Sequence, residues 1–173
     1  MARYSVAAVT VLETRRLRLR PLTTADADLW VALHADDRVN RFVGSYTRQA
    51  ALARLERVEE QWSARGHNLF AIERKDTGEF VGRGGLNYWE AFDEVEAGWT
   101  LRADAWGKGY ATEAARAFIA WGFRTLSVPY LTAMIRHGND ASVHVAEHLG
   151  FTPGRGDVLL GHPVVVYVLD RPS

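Results

Sequence analysis

The stretch Trp106 to Ala114, WGKGYATEA, sets two glycines around a lysine and then runs directly into a helical pattern. A helix start leaves four backbone N–H groups without partners and carries a partial positive charge. Glycines just before it permit unusual dihedrals and let a ligand approach the main chain closely. Together these features make an anion site over Gly107, Lys108, Gly109, Tyr110, Ala111 and Thr112, best suited to phosphate, with the lysine adding a full charge at its rim. The same residues equally suit a plain tight turn between strand and helix. Two nucleotide motifs fail here. A P-loop needs glycine at 102 and Ser or Thr at 109, where Arg102 and Gly109 stand. The third glycine of the dinucleotide fingerprint is replaced by Thr112.

Two other clusters carry chemistry. In Glu94–Leu101, EVEAGWTL, alternation puts Val95, Ala97, Trp99 and Leu101 on one face and Glu94, Glu96, Gly98 and Thr100 on the other. The acids Glu90, Asp93, Glu94 and Glu96 suit attraction of a cation, or simply a solvated turn. Farther on, His144-Val145-Ala146-Glu147-His148 matches the H-x-x-E-H motif of inverted zinc proteases, with both histidines on one helix face. A hydrolytic zinc takes a third protein ligand, and only Asp157 and Asp170 follow as acids. The helix reads instead as an ordinary amphipathic one, with Val143, Ala146 and Leu149 toward the core. No metal is expected.

The elements that position these residues follow from periodicity. Residues 14–20 form a half-buried strand, with Leu17 and Leu19 on one face and Arg16, Arg18 and Arg20 on the other, closed by Pro21. Thr23 or Thr24 caps a helix over Ala25–Ala35, and Thr47 caps another over Arg48–Arg65 that stops at Gly66. The period then changes to two: strands at Asn68–Arg74, Glu79–Tyr88 and Glu94–Leu101 are joined by short turns. The glycine turn leads a helix over Ala111–Thr125, followed by a strand at Tyr130–Ile135, a helix from Asn139-Asp140 to His148, and a last strand at Val164–Leu169. The order predicts a single-domain α/β fold, with a mixed, mostly antiparallel sheet and about four helices.

Composition narrows the classes. A chain of 173 residues fits one domain with a full core. Twenty-one basic residues balance 21 acidic ones, so no overall field draws the protein to nucleic acid or anionic lipid. With no cysteine, disulfides, thiolate metal sites and acyl-cysteine intermediates are excluded, and a reducing compartment fits. The N-terminal apolar stretch is too short for a signal peptide, and no run of about 18 apolar residues occurs, so a cytoplasmic protein is expected.

Gly107 to Ala114 resembles the acyl-CoA pyrophosphate loop of the GCN5-related N-acetyltransferases (GNAT). Thr14 to Leu22, Glu96-Ala97-Gly98-Trp99, and Asn139-Asp140-Ala141-Ser142 followed by Leu149-Gly150-Phe151 resemble the opening strand, the strand before the loop and the closing segment of the branch that acetylates ribosomal-protein N-termini. These matches stand in order over residues 14–170. One departure is Trp106, where the family often has Gln or Arg.

The resemblance implies a sheet splayed at its centre and acetyl transfer from acetyl-CoA, without a metal, to a primary amine. It places the pantetheine arm between Glu94–Leu101 and Tyr130–Ile135, and the coenzyme along Thr100, Leu101, Arg102, residues 107–112 and Asn139. A backbone N–H near Thr100 or Leu101 would polarise the thioester carbonyl. Glu96 is the leading base, with Glu94 or a water chain as alternatives; both glutamates also suit a solvated sheet face. The thiolate acid that many members carry as tyrosine falls on Ala146, so Ser142 of the N-x-x-S segment is the candidate. Ser142 also suits a first-turn residue bonding the backbone, and Asn139 a helix cap. An acetyl-CoA-binding protein without turnover is the rival reading. The acceptor and oligomeric state, a homodimer included, stay open. Val39–Tyr46 and Thr152–His162 are expected as variable loops against the acceptor.

Overall fold

Leu17 and Leu19 are fully buried while Arg18 between them is exposed, so the first long strand alternates as its sequence demands. The protein is described by a computed structural model over residues 9–173. Its elements run β1 Leu12–Glu13, β2 Leu17–Pro21, α1 Ala27–Ala35, α2 Asp37–Val43, α3 Arg48–Arg65, β3 Leu69–Arg74, β4 Phe80–Trp89, β5 Glu94–Leu101, α4 Tyr110–Thr125, β6 Tyr130–Arg136, α5 Asp140–His148, β7 Thr152–Leu159 and β8 His162–Asp170. One sheet takes the order β1-β2-β3-β4-β5-β6-β8-β7, antiparallel throughout except for the β5–β6 pair. None of the described helices is long and apolar enough to cross a membrane.

Both faces of the sheet are covered. Leu69 and Ala71 of β3 pack with Trp30 and Leu33 of α1 and Leu55 and Val58 of α3. Phe70 and Ile72 pack on the opposite side with Ala114, Phe118 and Trp121 of α4. Burial on both faces explains why Leu69–Ile72 reads as an unbroken apolar run. Helix signals also hold: the Thr47 hydroxyl accepts from Ala50 N, and Gly66 ends α3 at φ +75°.

Three elements differ from expectation. Helix α2 occupies part of the expected 39–46 loop; Asp36 caps it by accepting from Arg38 N at 2.9 Å. Residues 12–13 add the short β1, because pairing with Leu19 and Arg18 extends the sheet edge. Residues 152–159 form β7 rather than a loop. Its sequence, TPGRGDVL, lacks apolar alternation because the strand lies at the sheet edge, where Pro153 forgoes no needed hydrogen bond.

Strand β7 also anchors β5. Arg155 pairs with Glu94 through two bonds of 2.8 and 3.0 Å, and Tyr130 donates to the same carboxylate at 3.1 Å. The Glu94 side chain is only 6 % exposed, so these partners replace the water its carboxylate loses. Arg155→Met is expected to lower stability by about 2 kcal/mol, read as a melting temperature lower by roughly 4–8 °C. An unchanged melting temperature would show that the pair is dispensable.

Candidate active site

The β5–β6 junction opens the sheet. These strands meet through one residue pair, Glu96 with Thr132, and then diverge, whereas β4–β5 pairing continues to Leu101. Register decides which groups face the gap. Arg102 N donates to Val81 O, so even-numbered residues of β5 bond to β4, and odd-numbered ones turn their N–H and C=O groups the other way. Trp99 and Leu101 therefore direct their N–H groups into the opening, while that of Thr100 is spent on β4. The Leu101 carbonyl is already engaged, accepting from Trp106 Nε1 at 3.0 Å.

The glycine turn lies at one end of this opening. Gly107 and Gly109 take φ +72° and +79°, left-handed values that favour glycine, and Gly109 is the residue preceding α4. The first helical bond runs from Glu113 N to Gly109 O. Among the described residues, no acceptor meets the N–H groups of residues 107–112. The turn is pinned from outside: Arg16 donates to Lys108 O at 2.8 Å and to Glu113 at 3.1 Å, and stacks 4.5 Å over the Tyr110 ring. Thr14 adds a bond to Glu113 at 3.0 Å. The backbone is thus held in place while its donors stay open, which suits the oxygens of a pyrophosphate.

A groove of about 680 Å³ runs from these donors past Leu101, Thr100 and Trp99 to Asn139 and Ser142. Gly107, Gly109, Tyr110, Ala111 and Thr112 all line it. Lys108 and Arg102 do not: Lys108 is exposed, and Arg102 pairs with Glu79 and Asp104 outside the groove. Asn139 caps α5 by accepting from Ser142 N at 3.3 Å; among the described residues neither its amide nitrogen nor the Ser142 hydroxyl has a further partner, and both residues line the groove. Arg38 and Arg41 of α2 complete the wall; sequence reasoning missed them. The signal was Asp36 before Val39, Phe42 and Val43, a cap followed by helical spacing.

A second cavity, about 190 Å³, meets the groove at Trp99, Thr100, Asn139 and Ser142. Glu96 projects here from β5. Its Oε2 is shielded from water and has no hydrogen-bond partner among the described residues. Burial pushes its pKa up to about 7, although the nearby Trp89 indole, Arg83 and Arg54 favour the ionised form. The Trp89 Nε1 is close enough to be felt but outside bonding geometry, and is itself unpartnered. Gly98 keeps the approach open, since a Cβ there would stand 3.3 Å from Glu96 Oε1. Glu94, on the same face of β5, is tied to Arg155 and Tyr130 and does not line the cavity. His34, bonded to Arg83, is held neutral, its pKa lowered to about 3 by burial and by that guanidinium. It donates from Nδ1 to Trp30 O at 2.8 Å and accepts from Arg83 at Nε2, 3.1 Å away.

His144, Glu147 and His148 all lie exposed on α5. No three His, Cys, Asp or Glu side chains among the described residues gather as metal ligands.

Residues 16–152 match the family described as the acetyltransferase (GNAT) domain. A Bacillus subtilis (strain 168) protein, YkkB, is 33 % identical over 168 residues, covering 92 % of this chain and 95 % of its own. The crystal structure of an acetyltransferase from Agrobacterium tumefaciens str. C58 is 32 % identical and superposes with a TM-score of 0.83, over 98 % of this chain and 99 % of that one. RimL, a ribosomal L7/L12 alpha-N-protein acetyltransferase solved with coenzyme A, shares the fold at a TM-score of 0.78 with 16 % identity, over 93 % of this chain and 98 % of its own. A splayed sheet and a free-amide turn, on a chain matched over most of its length, establish that this protein belongs to the GNAT acetyltransferases.

Proposed function

We propose that the protein transfers an acetyl group from acetyl-CoA directly to a primary amine. The observation that carries this reading is the meeting of two spaces at one point: a groove that begins at unpartnered amides and a cavity that holds a carboxylate with a raised pKa. The residues present fit the coenzyme, because the open donors of residues 107–112 match a pyrophosphate, and unpaired β5 groups match the amides of a pantetheine arm. When bound, acetyl-CoA supplies the thioester carbonyl.

The chain's own groups do the rest. In this reading the N–H of Leu101, which faces the opening, stabilises the negative charge that develops on the carbonyl oxygen. Glu96 takes a proton from the acceptor amine, and a base with pKa near the working pH is well matched to that task. As the amine nitrogen bonds to the carbonyl carbon, the carbon–sulfur bond breaks, and the Ser142 hydroxyl protonates the departing thiolate while taking a proton from water in the open groove. Holding both reactants at the junction supplies several kcal/mol, on the order of 7, of the barrier reduction.

Free-thiol release from acetyl-CoA, screened against amines and N-terminal peptides, tests this function. Amine-dependent thiol release with formation of the N-acetyl product is expected. Binding of the coenzyme with no amine ever consumed would leave a binding protein and contradict the proposal. Ser142→Ala is expected to lower kcat by about tenfold or more while leaving the coenzyme's affinity intact. An unchanged kcat would remove Ser142 from the mechanism.

A further inference from the structure

The acceptor cavity is unbalanced in charge. Three arginines line it, Arg54 from α3, Arg83 from β4 and Arg136 from β6, against a single carboxylate, Glu96. Among the described residues none of the three forms an ion pair, and residues 1–8 contain no Asp or Glu that could supply one. Their other bonds are few. Arg83 donates from Nη2 to the neutral His34 and lies 4.6 Å over the Trp30 ring, and its shielded Nε has no partner among the described residues. Arg54 donates to Asn87 Oδ1 at 3.5 Å. The remaining groups that face this pair are Tyr46, Arg57 and Glu96.

Three half-buried cations that share one carboxylate are costly unless a ligand supplies a further anion. Burial and crowding already depress the guanidinium pKa values of Arg54 and Arg83, that of Arg83 to about 10. A guanidinium with open donors is also the side chain best shaped for a carboxylate. The walls beyond are aromatic, with Trp30, Tyr46, Trp89 and Trp99, and the volume suits a small molecule.

Resting on the transferase reading, we propose that the acceptor is a small amine carrying a carboxylate a few bonds from its nitrogen, an amino-acid-like molecule. Its carboxylate lies between Arg54 and Arg83 and its amine at Glu96. Bare cations such as polyamines and aminoglycosides are disfavoured by the same arginines.

The test pairs each protein amino acid with its decarboxylated amine. Acetylation rates are measured, and tryptophan fluorescence of the CoA-loaded protein reports binding. At least one amino acid is expected to exceed its decarboxylated partner by about 100-fold in kcat/KM. Arg54→Gln should raise its KM by roughly 10- to 100-fold, a loss at least about tenfold larger than any it causes with the decarboxylated amine; Arg54→Lys should recover part of that difference. Decarboxylated amines used equally well, an equal loss on both classes in Arg54→Gln, or no amino acid bound at millimolar concentration would each overturn the inference. If a carboxylate-free amine is still acetylated, the transferase function stands without it. Failure of coenzyme A to bind at all would sink the transferase reading first.

Discussion

Replacing Glu96 with glutamine is expected to lower kcat by about 100- to 10,000-fold, the range lost when a positioned general base is removed. Glutamine keeps the shape of the side chain and so leaves the cavity intact. In the parent, kcat/KM should show a limb that rises with pH through about 7, because only the ionised carboxylate accepts the proton. The variant should lack that limb and retain only the one set by the amine's own deprotonation. A stability readout checks the same group independently. The folded-state pKa lies above its ordinary value near 4.5, so between those values the native state holds more protons than the unfolded one. Stability from this site therefore falls as pH rises through that window. Glu96→Gln should melt higher than the parent at pH 8, and the gap should shrink toward pH 5. An unchanged pH–rate profile in the variant would assign proton removal to another group.

Thr112→Glu is expected to raise the dissociation constant for coenzyme A by at least about 100-fold. A carboxylate placed beside a pyrophosphate at about 4 Å costs several kcal/mol even at a moderate effective dielectric. The substitution is informative because it should not harm the fold. Thr112 is the third residue of α4, where an acid interacts well with the helix dipole and stabilises the helix by about 0.3–1 kcal/mol. Thr112→Gln, isosteric and neutral, should bind within a few-fold of the parent. Equal affinity for Glu and Gln variants would place the pyrophosphate elsewhere.

Much of this site was legible because its parts are written locally. The Gly107–Thr112 amides follow from two glycines before a helical pattern, and the helix began one residue from the expected Ala111. Thr47 and Gly66 marked the ends of α3, and alternation put Glu96 and Glu94 on one face. What alternation could not reveal is that the two glutamates differ. Glu94 meets Arg155, 61 residues away, whereas Glu96 meets a cavity shaped by α1, α3 and β4. Such partners are brought together only by the tertiary fold. Strand β7 escaped notice because an edge strand needs no apolar face, and α2 because seven residues give barely two turns of pattern. The charge of Lys108 suggested a phosphate contact; its side chain is exposed and does not line the groove, while its carbonyl holds Arg16.

Amide chemical shifts recorded while coenzyme A is titrated into nitrogen-15-labelled protein test the central claim most directly. The N–H groups of residues 107–112, which meet no acceptor among the described residues, are expected to show the largest changes, saturating with a single site. No change in these amides at millimolar coenzyme, or changes concentrated on another surface, would contradict it.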